Sequence, residues 1–145
     1  AKAMDAAFTR LTGGAAPHAE TLIVKGRELV APRAAHGAAR FEFRDLVDAA
    51  LGPGDYLAIA KRYHTVFLDG VEKMTPARRD VAKRFVTLID ALYERKAKLI
   101  CSAEAAPVDL YPAGDGAFEF QRTASRLTEM QSAEYLAKGV GEVAA

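Results

Sequence analysis

HTVFLDGVEKMTPARRDVAKRFVTLIDALYERKAKLICS, residues 64–102, carries a complete strand–helix–strand pattern. Its first apolar run, His64 to Leu68, stops at Asp69-Gly70, and its second, Lys98 to Cys101, stops at Ser102. Between them Val81, Phe85, Leu88, Ile89 and Leu92 recur at helical spacing, with Thr75 expected as N-cap and Pro76 at the first helical position. A helix joining two strands in this way makes them parallel. Open parallel sheets bind ligands beyond the carboxyl ends of their strands, and Asp69 and Ser102 fall at that edge. The unit has the form of half a nucleotide-binding sheet. No GxxxxGK[ST] phosphate loop occurs in the 145 residues, so the cradle such a sheet serves is absent from them.

Upstream, ETLIV and RELVA flank Lys25-Gly26 and alternate as a β-hairpin does, with Gly26 supplying positive φ in the turn. ARFEF (Ala39 to Phe43) alternates too, and is expected as a third antiparallel strand with one wet face. FRDLVDAAL reads as a short helix stopped by Gly52-Pro53-Gly54, and Asp55 as the cap of a second helix, DYLAIAKRY. Residues Lys2 to Leu11 form a further short helix, followed by the connector GGAAPH. Downstream, VDLY is a helical turn, PAGDG a loop, QRTASRLTEM a helix, and Ser132 the cap of a last short helix ended by Gly139. The expected fold is α/β: a parallel βαβ unit of a P-loop-NTPase-like sheet, extended by an antiparallel hairpin, with short C-terminal helices.

Length and composition fit one domain over residues 1–145. Twenty Lys plus Arg against nineteen Asp plus Glu leave a formal charge of +1, so nothing global draws the chain to nucleic acid. The basic residues Arg78, Arg79, Lys83 and Arg84 interleave with Asp80, as a solvated helix face does. No apolar stretch approaches the length of a membrane span. Cys101, the one cysteine, lies in an apolar strand and reads as a small buried hydrophobe, which points to a reducing compartment. His64, His18 and His36 lack the neighbouring ligands a metal site needs. No catalytic residue and no metal site is assigned.

The segments GRELV, ARFEFRDL, LGPGDYLAIAKRYHTVFLD, AKRFVTLIDALYERKAKLICSA and FEFQRTASRLTEMQSAEYL, in this order from about Thr21 to Leu136, resemble the C-terminal portion of the ZapE-type cell-division ATPases. That family also contains the mitochondrial ATPase-family-gene-one and lactation-elevated-one proteins. The resemblance implies a P-loop ATPase of the AAA+ type that uses ATP and Mg²⁺, with its Walker A lysine, Walker B acids and sensor upstream of residue 1. The chain would then be an excised C-terminal region, inactive alone and holding no cofactor, comprising a hairpin and strand (20–43), a helix plus βαβ unit (55–102) and C-terminal helices (118–138). HTVFLDG echoes a Walker B strand, but Gly70 stands where the catalytic Glu would be, so Asp69 is read as sheet packing rather than a Mg²⁺ ligand.

The same resemblance makes Arg122 and Arg126 the candidate nucleotide-sensing residues, because an arginine of the C-terminal helical region senses the γ-phosphate in AAA+ ATPases. They are four apart on one helix face and can reach a common phosphate. The plainer reading is an ion pair between Arg126 and Glu129. The partners implied are the N-terminal ATPase core of the same polypeptide, polypeptide clients and further copies in a homo-oligomer, with no nucleic acid and no membrane span, in the cytoplasm. The competing reading is a non-catalytic protein-interaction domain that docks through the hairpin edge or an apolar patch. An independent small enzyme built on Asp69 and Ser102 has the weakest support, since no base or cofactor fingerprint accompanies them.

Overall fold

The computed structural model describes residues 2–130. Five strands form one mixed sheet in the order β1-β2-β3-β4-β5. β1 (His18–Val24) and β2 (Arg27–Ala35) make the hairpin, and β3 (Ala38–Glu42) continues it antiparallel through the turn at His36-Gly37. β3, β4 (Thr65–Val71) and β5 (Lys98–Ala103) are parallel, with Phe41 opposite Leu68 and Leu68 opposite Cys101. The α/β expectation and the parallel unit over residues 64–102 are therefore observed.

Three helices connect the parallel strands: α2 (Phe43–Leu46) and α3 (Pro53–Arg62) between β3 and β4, and α4 (Arg79–Glu94) between β4 and β5. Two parallel crossovers stepping the same way put their helices on one side of the sheet. On that side Val81, Phe85, Leu88, Ile89 and Leu92 meet Val66 and Leu68 in the main core, which α5 (Ala117–Met130) closes with Phe120 and Leu127. α1 (Lys2–Leu11) covers the opposite face, packing Met4 and Phe8 on Ala38 and Phe67. The C-terminal helix expected after Ser132 lies outside the described residues.

Local structure departs from expectation where side chains from elsewhere take over. β3 has both faces covered, since Ala39 and Phe41 enter the main core while Ala38 lies under α1. Its position between hairpin and parallel unit leaves no wet face. α2 stops at Leu46 because Arg84 donates to the Val47 carbonyl at 2.8 Å and Arg78 draws Asp48 aside at 2.7 Å. Thr75 makes no side-chain cap. Pro76–Arg78 form a 3₁₀ turn, in which Arg78 N–H donates to Thr75 O at 2.9 Å, and α4 begins at Arg79. Asp55 caps α3 from its third position, accepting from Gly52 N–H at 2.8 Å and from Arg27 at 2.7 Å.

Candidate functional site

The carboxyl edge of the parallel strands brings together the ends of β3, β4 and β5: Glu42, Asp69-Gly70 and Ser102. Here the decisive residue is Arg40, which the sequence reading passed over. Its Nε donates to Asp69 Oδ2 at 2.6 Å and its NH2 to Asp69 Oδ1 at 3.1 Å, while NH1 meets Asp5 of α1 at 2.8 Å. The side chains of Arg40 and Asp69 are 5% and 12% exposed, and the guanidinium carbon lies 5.9 Å from the Phe8 ring centroid. The Asp69 hydrogen bonds push the Arg40 pKa up, despite the opposing effect of burial. Arg33 adds a second cation 3.6 Å from Asp69.

Both oxygens of Asp69 are thus committed to a guanidinium, and a cation placed there would compete with it at close range. The residues of this edge do not fit a nucleotide-bound Mg²⁺, and no group of three or more His, Cys, Asp or Glu among the described residues is arranged to hold a metal. Ser102 Oγ accepts from Gly70 N–H at 2.8 Å, which pins the turn that Gly70 makes at φ +74°. Cys101 is held in the thiol form, its pKa raised by burial. At the other end of the sheet His64 spans two elements, with Nδ1 2.8 Å from Thr65 Oγ1 and Nε2 2.9 Å from the His36 carbonyl. Its ring is a strut for the β2–β3 turn.

Arg122 and Arg126 do converge, on Asp90 of α4. Arg126 is 20% exposed, bonds Asp90 at 2.5 Å and lies 4.5 Å over the Tyr93 ring, whereas Arg122 is 70% exposed with its NH2 4.0 Å from the same carboxylate. Glu129 accepts from the Tyr93 hydroxyl at 2.8 Å, so the plain Arg126–Glu129 pair gives way to a bridge between α4 and α5. A groove of about 440 Å³ runs beside this junction, lined by Arg79, Lys83, Val86, Tyr111, Glu119 and Phe120.

A second polar cluster went unread in the sequence. Glu20 of β1 accepts from the Tyr63 hydroxyl at 2.8 Å and from Arg62 at 3.0 Å, tying the hairpin to the end of α3. The Tyr63 bond holds the Glu20 carboxyl below its usual range, and burial together with that bond pushes the Tyr63 phenol up. An arginine within the apolar run ARFEF was the available signal for Arg40, because a central strand accepts a guanidinium only beside a carboxylate. Nothing local marks Glu20 or Tyr63, which meet across 43 residues.

What fold and site define is an α/β scaffold whose parallel edge is closed by its own ion pair, with no phosphate loop among its described residues. Its class follows from comparison: the model of the AFG1-like ATPases matches residues 1–139, and the chain belongs to that family. It is 38% identical over 133 residues to the cell division protein ZapE of Escherichia coli K12, covering 92% of this chain and 36% of the relative. It is 32% identical to lactation elevated protein 1 homolog B of Danio rerio, covering 81% of the chain and 30% of that protein. An uncharacterised protein of Schizosaccharomyces pombe is 36% identical over 66% of the chain and 21% of its own length. The chain thus spans about a third or less of the curated relatives it matches. No solved structure matches it significantly. Among the described residues no helix is long and apolar enough to cross a membrane.

Proposed function

We propose that this chain is the C-terminal module of an ATP-hydrolysing AAA+-type ATPase of the cytoplasm, whose N-terminal core supplies the phosphate loop, the acidic pair and the Mg²⁺ site. The observation that carries this reading is the pairing of a family match over residues 1–139 with a carboxyl edge closed by Arg40 and Asp69. Catalysis then lies elsewhere in the polypeptide, and this module serves as lid, intersubunit contact in a homo-oligomer or client surface. The name of the ZapE relative supports a role in cell division, and the proposal couples that role to handling of polypeptide partners. In this reading Arg122, exposed beside Asp90, reaches toward a nucleotide phosphate of the core, and Arg126 holds the α4–α5 junction from which it extends.

Two measurements test it. Residues 1–145 alone, titrated with Mg·ATP by calorimetry, are expected to give neither tight binding nor turnover, and turnover that survives stringent purification overturns the reading. In the full-length ATPase, Arg122→Ala is expected to lower kcat about tenfold or more with the fold intact, and normal turnover removes the sensing role. A second reading, a non-catalytic protein-interaction domain, is favoured by one observation: Ile23 and Val30 of the hairpin stand exposed. Native-affinity capture of a single partner by a parent lacking ATPase activity would select it.

A further inference from the structure

Among the described residues β1 is an outermost strand of the sheet, with β2 as its one neighbour in it. Its ladder to β2 is regular from Glu20 to Val24 and closes in the two-residue turn Lys25-Gly26, both residues at positive φ. In such a hairpin the pair flanking the turn, Val24 and Arg27, bonds across the ladder, and bonded pairs alternate from there. Glu20, Leu22 and Val24 therefore bond inward, and Thr21 and Ile23 direct N–H and C=O away from the sheet. The side chains follow the same alternation. Leu22 and Val24 turn to the main core, while Thr21 and Ile23 lie on the opposite face beside Val30, with Ile23 67% and Val30 48% exposed.

Sheet edges are ordinarily blunted by proline, lysine or a bulge. His18–Val24 contains neither residue, and the irregularity in its ladder falls at the start, between His18 and Glu20. The acidic group on the strand, Glu20, is taken up by Tyr63 and Arg62.

We propose that the β1 edge is a strand-addition site for an extended polypeptide segment that lays alternate apolar side chains over Ile23 and Val30. A row of backbone donors and acceptors at the strand repeat is matched by another extended backbone, and the apolar strip beside it sets which side chains are accepted. Lys25, exposed in the turn at the end of the edge, favours an acidic flank on the incoming segment, while Arg27 and Arg62, also exposed, already face Asp55 and Glu20. A second copy, its β1 pairing antiparallel about Thr21, is the competing occupant. The site deepens the polypeptide-handling part of the function proposed above and rests on it.

The probe is a labelled synthetic peptide, DVTVEVTVD, titrated against the full-length protein by fluorescence anisotropy, with amide exchange read residue by residue. Saturable binding is expected, together with about tenfold slower exchange at Thr21 and Ile23. A peptide N-methylated at alternate residues, which cannot pair its backbone, is expected to fail. Thr21→Pro deletes an outward N–H and leaves the inward ladder, so it should weaken binding about tenfold or more at unchanged circular dichroism and urea midpoint. Should that variant not fold, Ile23→Lys and the exchange pattern decide the question. Undiminished binding by Thr21→Pro or Ile23→Lys, indifference to N-methylation, protection elsewhere, or a β1-mediated dimer in place of peptide binding would each overturn the proposal. ATP turnover of the same preparation reads the other proposal separately: lost binding with normal turnover rejects only the edge site, and absent turnover with intact binding rejects only the ATPase reading.

Discussion

Arg40 is the side chain on which the middle of the sheet depends, because it carries a charge into a strand covered on both faces. Removing one member of a buried ion pair leaves the other uncompensated, and Arg40→Ala is expected to cost about 3–5 kcal/mol, read as a drop in urea midpoint. Replacing the pair together, Arg40→Met with Asp69→Leu, is expected to restore most of that loss. A double variant as unstable as the single one would show that Arg40 acts through something other than Asp69. The buried tyrosines add a pH dependence. Tyr56 donates to the Leu46 carbonyl at 2.9 Å and burial raises its pKa to about 12. A phenol whose folded pKa lies above its unfolded value, about 10, keeps its contribution below that value and loses it as pH climbs through the folded one. Urea midpoints are therefore expected to fall between about pH 10 and pH 12. Tyr56→Phe should start lower at neutral pH, by about 1–3 kcal/mol for the orphaned carbonyl, and fall less steeply. Residue partners of this kind were the least legible part of the sequence. Arg40 and Asp69 are 29 positions apart, and their meeting depends on the parallel register of β3 on β4.

Elements were more legible, because their signals are local. The stripe Val81, Phe85, Leu88, Ile89 and Leu92 places α4 on the sheet as its spacing predicts, and Lys25-Gly26 makes the expected turn. Boundaries slipped at α2, α3 and the start of α4, where Arg84, Asp55 and Arg78 bond across to other segments. The direction of β3 on β4 also escaped, since alternation in ARFEF cannot distinguish a parallel neighbour from an antiparallel one. Phe85 sits between Phe43 at 6.1 Å and Phe120 at 6.0 Å, so Phe85→Ala opens a cavity where three elements meet. The expected cost is about 3–5 kcal/mol in chemical denaturation. The two glycine turns of the hairpin region give a matched comparison. Gly26 and Gly37 share φ +79°, but a Cβ on Gly37 would lie 2.7 Å from the His64 ring while one on Gly26 meets nothing within 4 Å. Gly37→Ala is expected to cost about 1–3 kcal/mol and Gly26→Ala about 1, a difference that His64→Ala should erase.

At the scale of the molecule, one sheet serves two cores, and its strands carry side chains to both. Phe67 points to the α1 side and meets Phe8 edge-on at 5.1 Å, while Val66 and Leu68 on either side of it enter the core under α4. Arg40 ties α1 to the sheet on the Phe67 face, through Asp5 on α1 and Asp69 on β4. A strand cannot lose its packing on one face and keep its register on the other, so damage under α1 should be felt under α4. Phe8→Ala removes a buried ring at a helix close to residue 1 and is expected to cost about 3–5 kcal/mol. The chain has no tryptophan, and Tyr56, Tyr63 and Tyr111 all belong to the core on the far side from Phe8. Near-ultraviolet circular dichroism of the tyrosines therefore reports mainly the face the substitution does not touch, and the far-ultraviolet signal reports the backbone as a whole. If the faces are coupled through the strands, both signals move to the same lower urea midpoint in Phe8→Ala. A tyrosine transition left at its original midpoint, while only part of the far-ultraviolet signal shifts, would mean that α1 unfolds by itself and that the second core is an attachment to the sheet rather than a part of its cooperative unit.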